Sequence, residues 1–336
     1  MSLKHYTIPV FIPGLACPFQ CVFCNQRKIT GRQLIPCDEE IVQTIEDHLG
    51  SFREKQRHVE VGFFGGSFTG IPMEQQAHYL DLVQPYVRQG LIQGIRLSTR
   101  PDYINEQVLD LLKSKNVTTI ELGAQSMDEM VLKASFRGHT ARQTEQSSEK
   151  ILRYGFRLGL QMMIGLPGDT LKKSIFTAKR IIDLGASDTR IYPVLVIKDT
   201  TLCHWYKQGK YRPLSLEEAV HRTKEILPLF EQAGVKVLRV GLHPSEGLLS
   251  GDELAAGPFH PSFKELALTE IWWDLLKPLM KSTSPDNILV KVPRSELNAA
   301  IGHQAKNKKR LKEKYKSVKF LGDENLKGRE YQVITE

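Results

Sequence analysis

The sequence predicts an α/β protein, and three observations carry the prediction. Short β-branched or aromatic runs alternate with amphipathic helical stretches along most of the chain. Several helical stretches begin at a Ser, Thr, Asp or Asn cap and stop at a glycine, as at 170–185 and 215–234. The 336 residues, 41% hydrophobic and 25% charged, suffice for one large domain with a small companion. Repeated βα units imply parallel strands joined by right-handed crossovers. That periodicity fits a partial (β/α) barrel and an open doubly wound sheet equally well.

In chain order, a first strand is expected at 6–12. Further strands follow at 59–64, 95–99, 118–125, 157–164, 189–196 and 235–240, with helices at 38–52, 74–88, 105–115, 142–154, 171–184 and 216–232. Beyond them, 287–293 reads as a strand, 295–301 as a short helix, 307–315 as a basic helix and 317–321 as a strand. The expected division is a core at 1–280 and a module at 281–336. No apolar run reaches the ~18 residues a membrane span needs. The longest candidate, 271–280, is broken by Lys277 and Pro278. Five cysteines, an odd number in a long chain without an apolar leader, point to a reduced, cytoplasmic setting.

Net charge is +8 and uneven: residues 281–336 carry +6 of it and the preceding 280 only +2. Localised positive charge is the footprint of a nucleic-acid binder, although a solvated basic face gives the same count.

The chemistry concentrates at CPFQCVFC, residues 17–24, where Cys17, Cys21 and Cys24 follow a C-x3-C-x2-C spacing just after the first strand. Three thiolates can ligate three irons of a [4Fe–4S] cube and leave the fourth open to a ligand. Zinc would require a fourth protein ligand, usually from a second pair, and Cys37 and Cys203 do not form one. This spacing, with aromatic Phe23 before the third cysteine, resembles the radical S-adenosylmethionine (radical SAM) superfamily. The resemblance implies a [4Fe–4S] cluster whose open iron binds SAM, reductive cleavage of SAM to a 5′-deoxyadenosyl radical, and a partial (β/α)6 barrel. In such a barrel the site lies at the C-terminal ends of the strands. An external ferredoxin-like or flavodoxin-like protein would donate the electron.

Several strand ends carry polar or glycine-rich motifs. FFGGSFTG, 63–70, brings two glycines to the end of a strand, where backbone can approach a ligand. It resembles the segment that holds the SAM amino group, with Ser67 in place of the usual Glu. LSTRPD, 97–102, offers Ser98 and Arg100; Arg100 can fork onto a carboxylate or cap the turn before Pro101. ELGAQS, 121–126, puts Glu121 inside an otherwise apolar strand, where it marks a site or pairs with a structural Arg. Gln125 and Ser126 suit ribose hydroxyls. The expected SAM shell is therefore Phe23, Gly65, Gly66, Ser67, Ser98, Arg100, Gln125 and Ser126. In LQMMIGLPGD, 160–169, the backbone would pack against adenine and Met162 and Met163 read as core. In YPVLVIKDT, 192–200, Val194 and Val196 would line the adenine pocket and Lys198 would reach an anion at its rim. WYKQGKYR, 205–212, interleaves aromatics with bases in what reads as an exposed loop. His139, His243 and His260 read as hydrogen-bonded turn histidines rather than proton donors, and Trp272 and Trp273 as helix packing.

Together with STRPD, ELGAQS and RGHT (137–140), the 191–200 run and GPFHPSFKEL (257–266) resemble the elongator catalytic-subunit family over residues 5–280. That family modifies the wobble uridine of tRNA and joins a radical SAM core to an acetyltransferase. No acetyl-CoA loop occurs in these residues. The chain therefore reads as a stand-alone bacterial relative of the core, with tRNA or another RNA as its substrate. The basic tail has the β-α-turn-α-β order of a minimal KH-type RNA-binding module, with Gly302–Ala305 in place of the GxxG clamp. Gly302, Lys306, Lys308, Lys309, Arg310 and Lys312 are its expected RNA contacts. Two rival readings stand beside this one. The first is a small-molecule oxidoreductase similar to oxygen-independent coproporphyrinogen dehydrogenase, which shares the cysteine spacing. The second is an RNA-binding protein whose cluster is structural or redox-sensing.

Overall fold

The computed structural model describes residues 4–12, 21–30, 34–54, 56–281 and 286–335. The chain opens with β1 (Lys4–Phe11), α1 (Gln26–Thr30), α2 (Asp38–Ser51), β2 (Arg57–Phe64), α3 (Met73–Arg88), β3 (Gly94–Thr99) and α4 (Glu106–Ser114). It continues with β4 (Val117–Gln125), α5 (Glu129–Ala134), α6 (Ala141–Arg153), β5 (Arg157–Ile164), α7 (Leu171–Asp183) and β6 (Asp188–Pro193). Then come β7 (Val196–Ile197), α8 (Thr201–Lys207), α9 (Leu216–Gln232), β8 (Lys236–Val240), α10 (Glu246–Leu249), β9 (Leu254–Ala256) and α11 (Phe263–Leu276). The last elements are β10 (Asn287–Pro293), α12 (Leu297–Ile301), α13 (Lys306–Lys312), β11 (Ser317–Asp323) and β12 (Gln332–Thr335).

Seven strands form one sheet in the order β1-β2-β3-β4-β5-β6-β8, parallel throughout. Sequential order without a switch point curls the sheet into a half-barrel, the partial-barrel alternative of the two that periodicity allowed. Side-chain alternation sorts its faces. Val59, Val61, Phe63, Ile95, Leu97, Ile120, Leu122, Leu158 and Leu160 are buried in the large core beneath the helices, each contributing about 1.5–3 kcal/mol by leaving water. Their neighbours, among them Glu60, Arg96, Glu121 and Arg190, share the opposite, inner face. Capping sets the helix starts: Asn105, Asp128, Thr170 and Thr200 accept from backbone N–H groups one turn on, and Thr140 and Ser215 form full capping boxes.

The strand expected at 189–196 is two strands. β6 ends at Pro193, whose ring offers no ladder donor, and β7 leaves the sheet to pair antiparallel with β9.

The C-terminal residues follow the expected order and add a strand. β10 pairs in parallel with β11 and antiparallel with β12. Its apolar core reaches back before residue 281: Trp272 and Leu276 pack among Ile288, Val290, Val292, Leu311 and Tyr315, whereas Phe263 and Ile271 of the same helix join the large core. α11 is thus apolar on two faces and serves both halves. The 302–305 turn is tied to it, since the His303 N–H donates to Thr269 Oγ1 at 2.8 Å and Asn307 Nδ2 to the Thr269 carbonyl at 2.9 Å. Within the turn Ala305 lies in the left-handed region, at φ 59°, where a Cβ is strained. Ala305→Gly is expected to raise stability by about 0.5–1 kcal/mol, the relief of strain less glycine's larger entropy loss. A shift of the denaturation midpoint to lower denaturant would refute that.

Candidate functional site

Cys17 lies outside the described residues; Cys21 and Cys24 follow β1 and sit at the C-terminal edge of the sheet. The Cys24 N–H donates to the Cys21 carbonyl at 3.0 Å, closing a turn that sets both thiols on one loop. Cys21, Val22 and Phe23 are buried with Leu166, Val194, Val196, Leu202 and Cys203, and Cys24 and Met163 pack against that cluster. Each thiol faces a donor. Arg137 Nη1 lies 3.1 Å from Cys21 Sγ and Gln26 Nε2 lies 3.4 Å from Cys24 Sγ. Arg137 is itself buried, and its Nη2 donates to the Gly123 carbonyl at 2.7 Å. Arg100 Nη2 donates to the Arg137 carbonyl at 2.6 Å, so one arginine fixes the backbone of the other.

Of the predicted shell, the structure gathers Gly65, Gly66, Ser67, Ser98 and Gln125 at or just beyond the C-terminal ends of β2, β3 and β4. Gly65 turns the chain out of β2 at φ 93°, with its α-carbon facing the Ile12 backbone, a conformation few side chains accept. Gly66, Ser67 and Ser98 line one small crevice. Gln125 ends β4 at φ 64°, beside a break in the β4–β5 register, and its Oε1 has no partner among the described residues. Two residues take other places. Arg100 forks onto the Asp102 carboxylate at 2.9 and 3.0 Å, the turn-capping alternative. Ser126 Oγ accepts from the Asp128 N–H at 3.1 Å and faces Thr177 of α7. Val194 and Val196 back the cysteine loop, while Met162 lies in the large core.

Beneath the strand ends the inner face carries a buried ionic layer. Glu121, 1% exposed, accepts from Arg96 Nη1 at 2.5 Å, Arg190 Nε at 2.7 Å and Gln161 Nε2 at 2.9 Å. Arg96 also reaches Glu60 at 3.1 Å and Asp188 at 3.4 Å, and Arg157 pairs with Glu60. Gly159 leaves room for this: a Cβ there would stand 2.6 Å from Asp188 Oδ1 and 2.9 Å from Glu121 Cγ. Burial alone would raise the Glu121 carboxyl, but the Arg190 and Arg96 guanidiniums hold it below the ordinary range. At Asp188 burial prevails over Arg96 and lifts the carboxyl. Glu121 is therefore the structural ion pair that its sequence position allowed.

The histidines match their turn readings. His139 is buried against the Ala124 carbonyl, and burial with the Arg137 and Arg100 charges pushes it down to about 3, so it stays neutral at physiological pH. His260 Nδ1 accepts from the Ser262 N–H at 3.0 Å, and His243 contacts Arg239 at 3.0 Å.

The profile of the Radical SAM superfamily matches residues 11–181, and that of the Radical_SAM C-terminal domain matches 187–272. The chain belongs to the radical SAM superfamily. An uncharacterized protein of Methanocaldococcus jannaschii is 30% identical over 224 residues, 63% of this chain and 67% of that protein. The tRNA uridine(34) acetyltransferase of Methanocaldococcus infernus is 32% identical over 141 residues, 39% of this chain. The matched segment spans only 26% of that acetyltransferase. The solved structure of the archaeal Methanocaldococcus infernus Elp3, with an N-terminal deletion, superposes with a TM-score of 0.63 at 19% identity, covering 83% of this chain and 64% of that one. The half-barrel is therefore the radical SAM fold, shared with that archaeal Elp3.

Radical SAM proteins use a [4Fe–4S] cluster and SAM. The residues here fit that pair: two thiols of the three-cysteine motif share one loop, Cys21 buried and Cys24 partly so, and each has an N–H donor. Arg137 is the residue that sequence reasoning passed over. In the sequence RGHT carries only a family likeness, and nothing local relates Arg137 to a cysteine 116 positions earlier. The partners of Glu121, which are Arg96, Arg190 and Gln161, come together only through strand register.

Among the described residues no helix is long and apolar enough to cross a membrane.

Proposed function

We propose that this radical SAM protein modifies RNA, with tRNA as the substrate class. When bound, the cluster supplies the electron that splits SAM into methionine and a radical able to take hydrogen from the substrate. Cys17, Cys21 and Cys24 are the proposed iron ligands. Arg137 places a positive donor on Cys21 and offsets thiolate charge in a buried setting. Gly65, Gly66, Ser67, Ser98 and Gln125 present backbone and amide or hydroxyl groups toward SAM. Phe23, Leu166 and Val194 exclude water from the cysteine loop, which protects a reactive intermediate from quenching. A ferredoxin-like or flavodoxin-like protein is the proposed electron donor.

The observation that carries the RNA reading is the likeness to an enzyme named for a tRNA uridine, along an elongator-like core. The basic module supports it unevenly. Lys306 pairs with Glu270 at 2.8 Å, and Arg310 contacts Glu270 and lies over the Trp273 ring at 4.7 Å, so both are engaged on α11. Lys309 and Lys312 are exposed and Lys308 half-buried, without ion pairs among the described residues, and they stand beside Gly302 as the available phosphate contacts.

Anaerobic incubation of the reconstituted protein with SAM, dithionite and bulk tRNA, followed by nucleoside mass spectrometry, is expected to yield deoxyadenosine and a new modified nucleoside. Deoxyadenosine without any altered nucleoside would count against RNA and favour a small molecule. A SAM-inert cluster would leave only a structural or redox-sensing role.

A further inference from the structure

We propose that the cleft between the β5–α7 loop and the segment joining α8 to α9 binds one unstacked nucleotide of an RNA strand. Its base would lie against Trp205 and its phosphate between Lys210 and Arg222. The proposal rests on the RNA reading above and adds a site to it.

The cleft has a volume of about 350 Å³ and is walled by the 165–169 loop, Trp205, residues 210–212, Leu214 and Arg222, a size within the range of small-ligand pockets. Of its three cations, Arg212 is engaged with Glu218 at 2.5 Å, and the other two differ in a useful way. Arg222 is fixed: its Nη1 lies 3.0 Å from Asp169 Oδ2, and that side chain, 3% exposed, also accepts from the Gly165 N–H at 2.8 Å and Ser174 Oγ at 2.7 Å. Lys210 is exposed and makes no ion pair among the described residues, so its charge is available to an incoming anion. Tyr211, wedged between them, donates its hydroxyl to the Gly165 carbonyl at 2.6 Å, which locks one wall to the other.

A second observation lies at the rim. Phe136 is 53% exposed and sits just past the C-terminus of α5, where its φ of 53° closes the helix with the Arg137 N–H on the Leu132 carbonyl at 3.1 Å. Its ring meets Trp205 edge-on, with centroids 5.7 Å apart. The backbone at Phe136 is held by the Lys133 carbonyl, and the next residue is Arg137, which touches Cys21. Trp205 and Tyr211 are half-buried and Phe136 is exposed; aromatic surface interleaved with cations is how proteins hold single strands, because every base has a face to stack and every nucleotide a phosphate. Trp205 and Tyr211 also pack on the apolar cluster that buries Cys21 and Phe23, so the cleft adjoins the cysteine loop.

The test uses the full chain carrying its cluster, with fluorescence anisotropy of a labelled seven-residue oligouridylate and of bulk tRNA between 50 and 200 mM salt. Trp205→Leu is expected to weaken the oligonucleotide about tenfold through lost stacking. Lys210→Ala should reduce the log–log salt slope by about 0.7. Should Trp205→Leu lose its iron absorbance, the surface variants Phe136→Ser and Lys210→Ala carry the measurement. Wild type binding tRNA while these variants keep its affinity and salt slope would overturn the cleft and leave the RNA reading intact. Wild type binding neither RNA would overturn both.

Discussion

An Arg137→Met variant is expected to load iron through its cysteines yet be harder to reduce, and to cleave SAM on the order of tenfold or more slowly with a weak reductant. The guanidinium is a buried cation 3.1 Å from Cys21 Sγ. Reduction would add negative charge to a site proposed to hold three thiolates. A cation and hydrogen bond at a ligand sulfur favour the reduced state, so removing them lowers the potential, about 59 mV for each tenfold change in a one-electron equilibrium. Met fills much of the volume but leaves Cys21 Sγ and the Gly123 carbonyl without this donor, and each lost buried hydrogen bond costs about 1–3 kcal/mol. Arg137→Lys keeps the charge and not the fork, so it should recover part of the potential and little of the stability. Cys21→Ala provides the contrast: it should lose the cluster, and with it all deoxyadenosine formation. EPR-monitored redox titration distinguishes the cases. An unchanged potential in Arg137→Met would remove this arginine from the cofactor's electrostatics.

What the sequence disclosed was local. Cys17, Cys21 and Cys24 fall within eight residues, and the strand–helix alternation repeats one short pattern, so both could be read without any contact map. The glycines at 65 and 66 were legible for the same reason: a strand end followed by two residues without side chains is a local signal. Other features needed the third dimension. Arg137 reaches Cys21 only because the residues after β4 fold back over the cysteine loop. Arg100 had two readings in sequence, and the Asp102 fork decided between them. Pro193 was visible, yet its consequence, a strand leaving the sheet to meet β9, depended on a partner 60 or so residues away. The basic run at 306–312 showed charge and concealed pairing, since Glu270 of α11 engages Lys306 and Arg310. Trp272 likewise read as packing, but only the fold shows that it packs into the module beyond the expected division.

Glu121→Gln is expected to destabilise the protein by about 3–5 kcal/mol, the cost of removing one member of a buried charge network. The layer balances three carboxylates, Glu60, Glu121 and Asp188, against three guanidiniums, Arg96, Arg157 and Arg190. Gln keeps the size of Glu and an acceptor for Gln161, but it leaves Arg96 and Arg190 with one negative charge too few. Because the excess is positive, Glu121→Gln/Arg190→Gln should recover part of the loss, a coupling of about 0.5–3 kcal/mol for residues in one network. The pH dependence follows from opposite shifts within the layer. Glu60 and Glu121 are held below their ordinary values, so the stability they confer is present above the unfolded pKa of about 4.3 and is lost as pH falls through their folded values. Asp188 is raised, so its ionisation opposes folding at neutral pH, and that penalty is relieved as pH falls through its folded value. Acidification of the wild type should first relieve Asp188 and then, at lower pH, release the two glutamates. In Glu121→Gln the second phase should shrink. By contrast Glu149→Gln, at an exposed pair with Arg153 on α6, should leave the denaturation midpoint where it is. Equal midpoints for Glu121→Gln and wild type across that pH range would mean that the layer contributes no net stability, and that its charges are held in place by the hydrophobic face of the sheet alone.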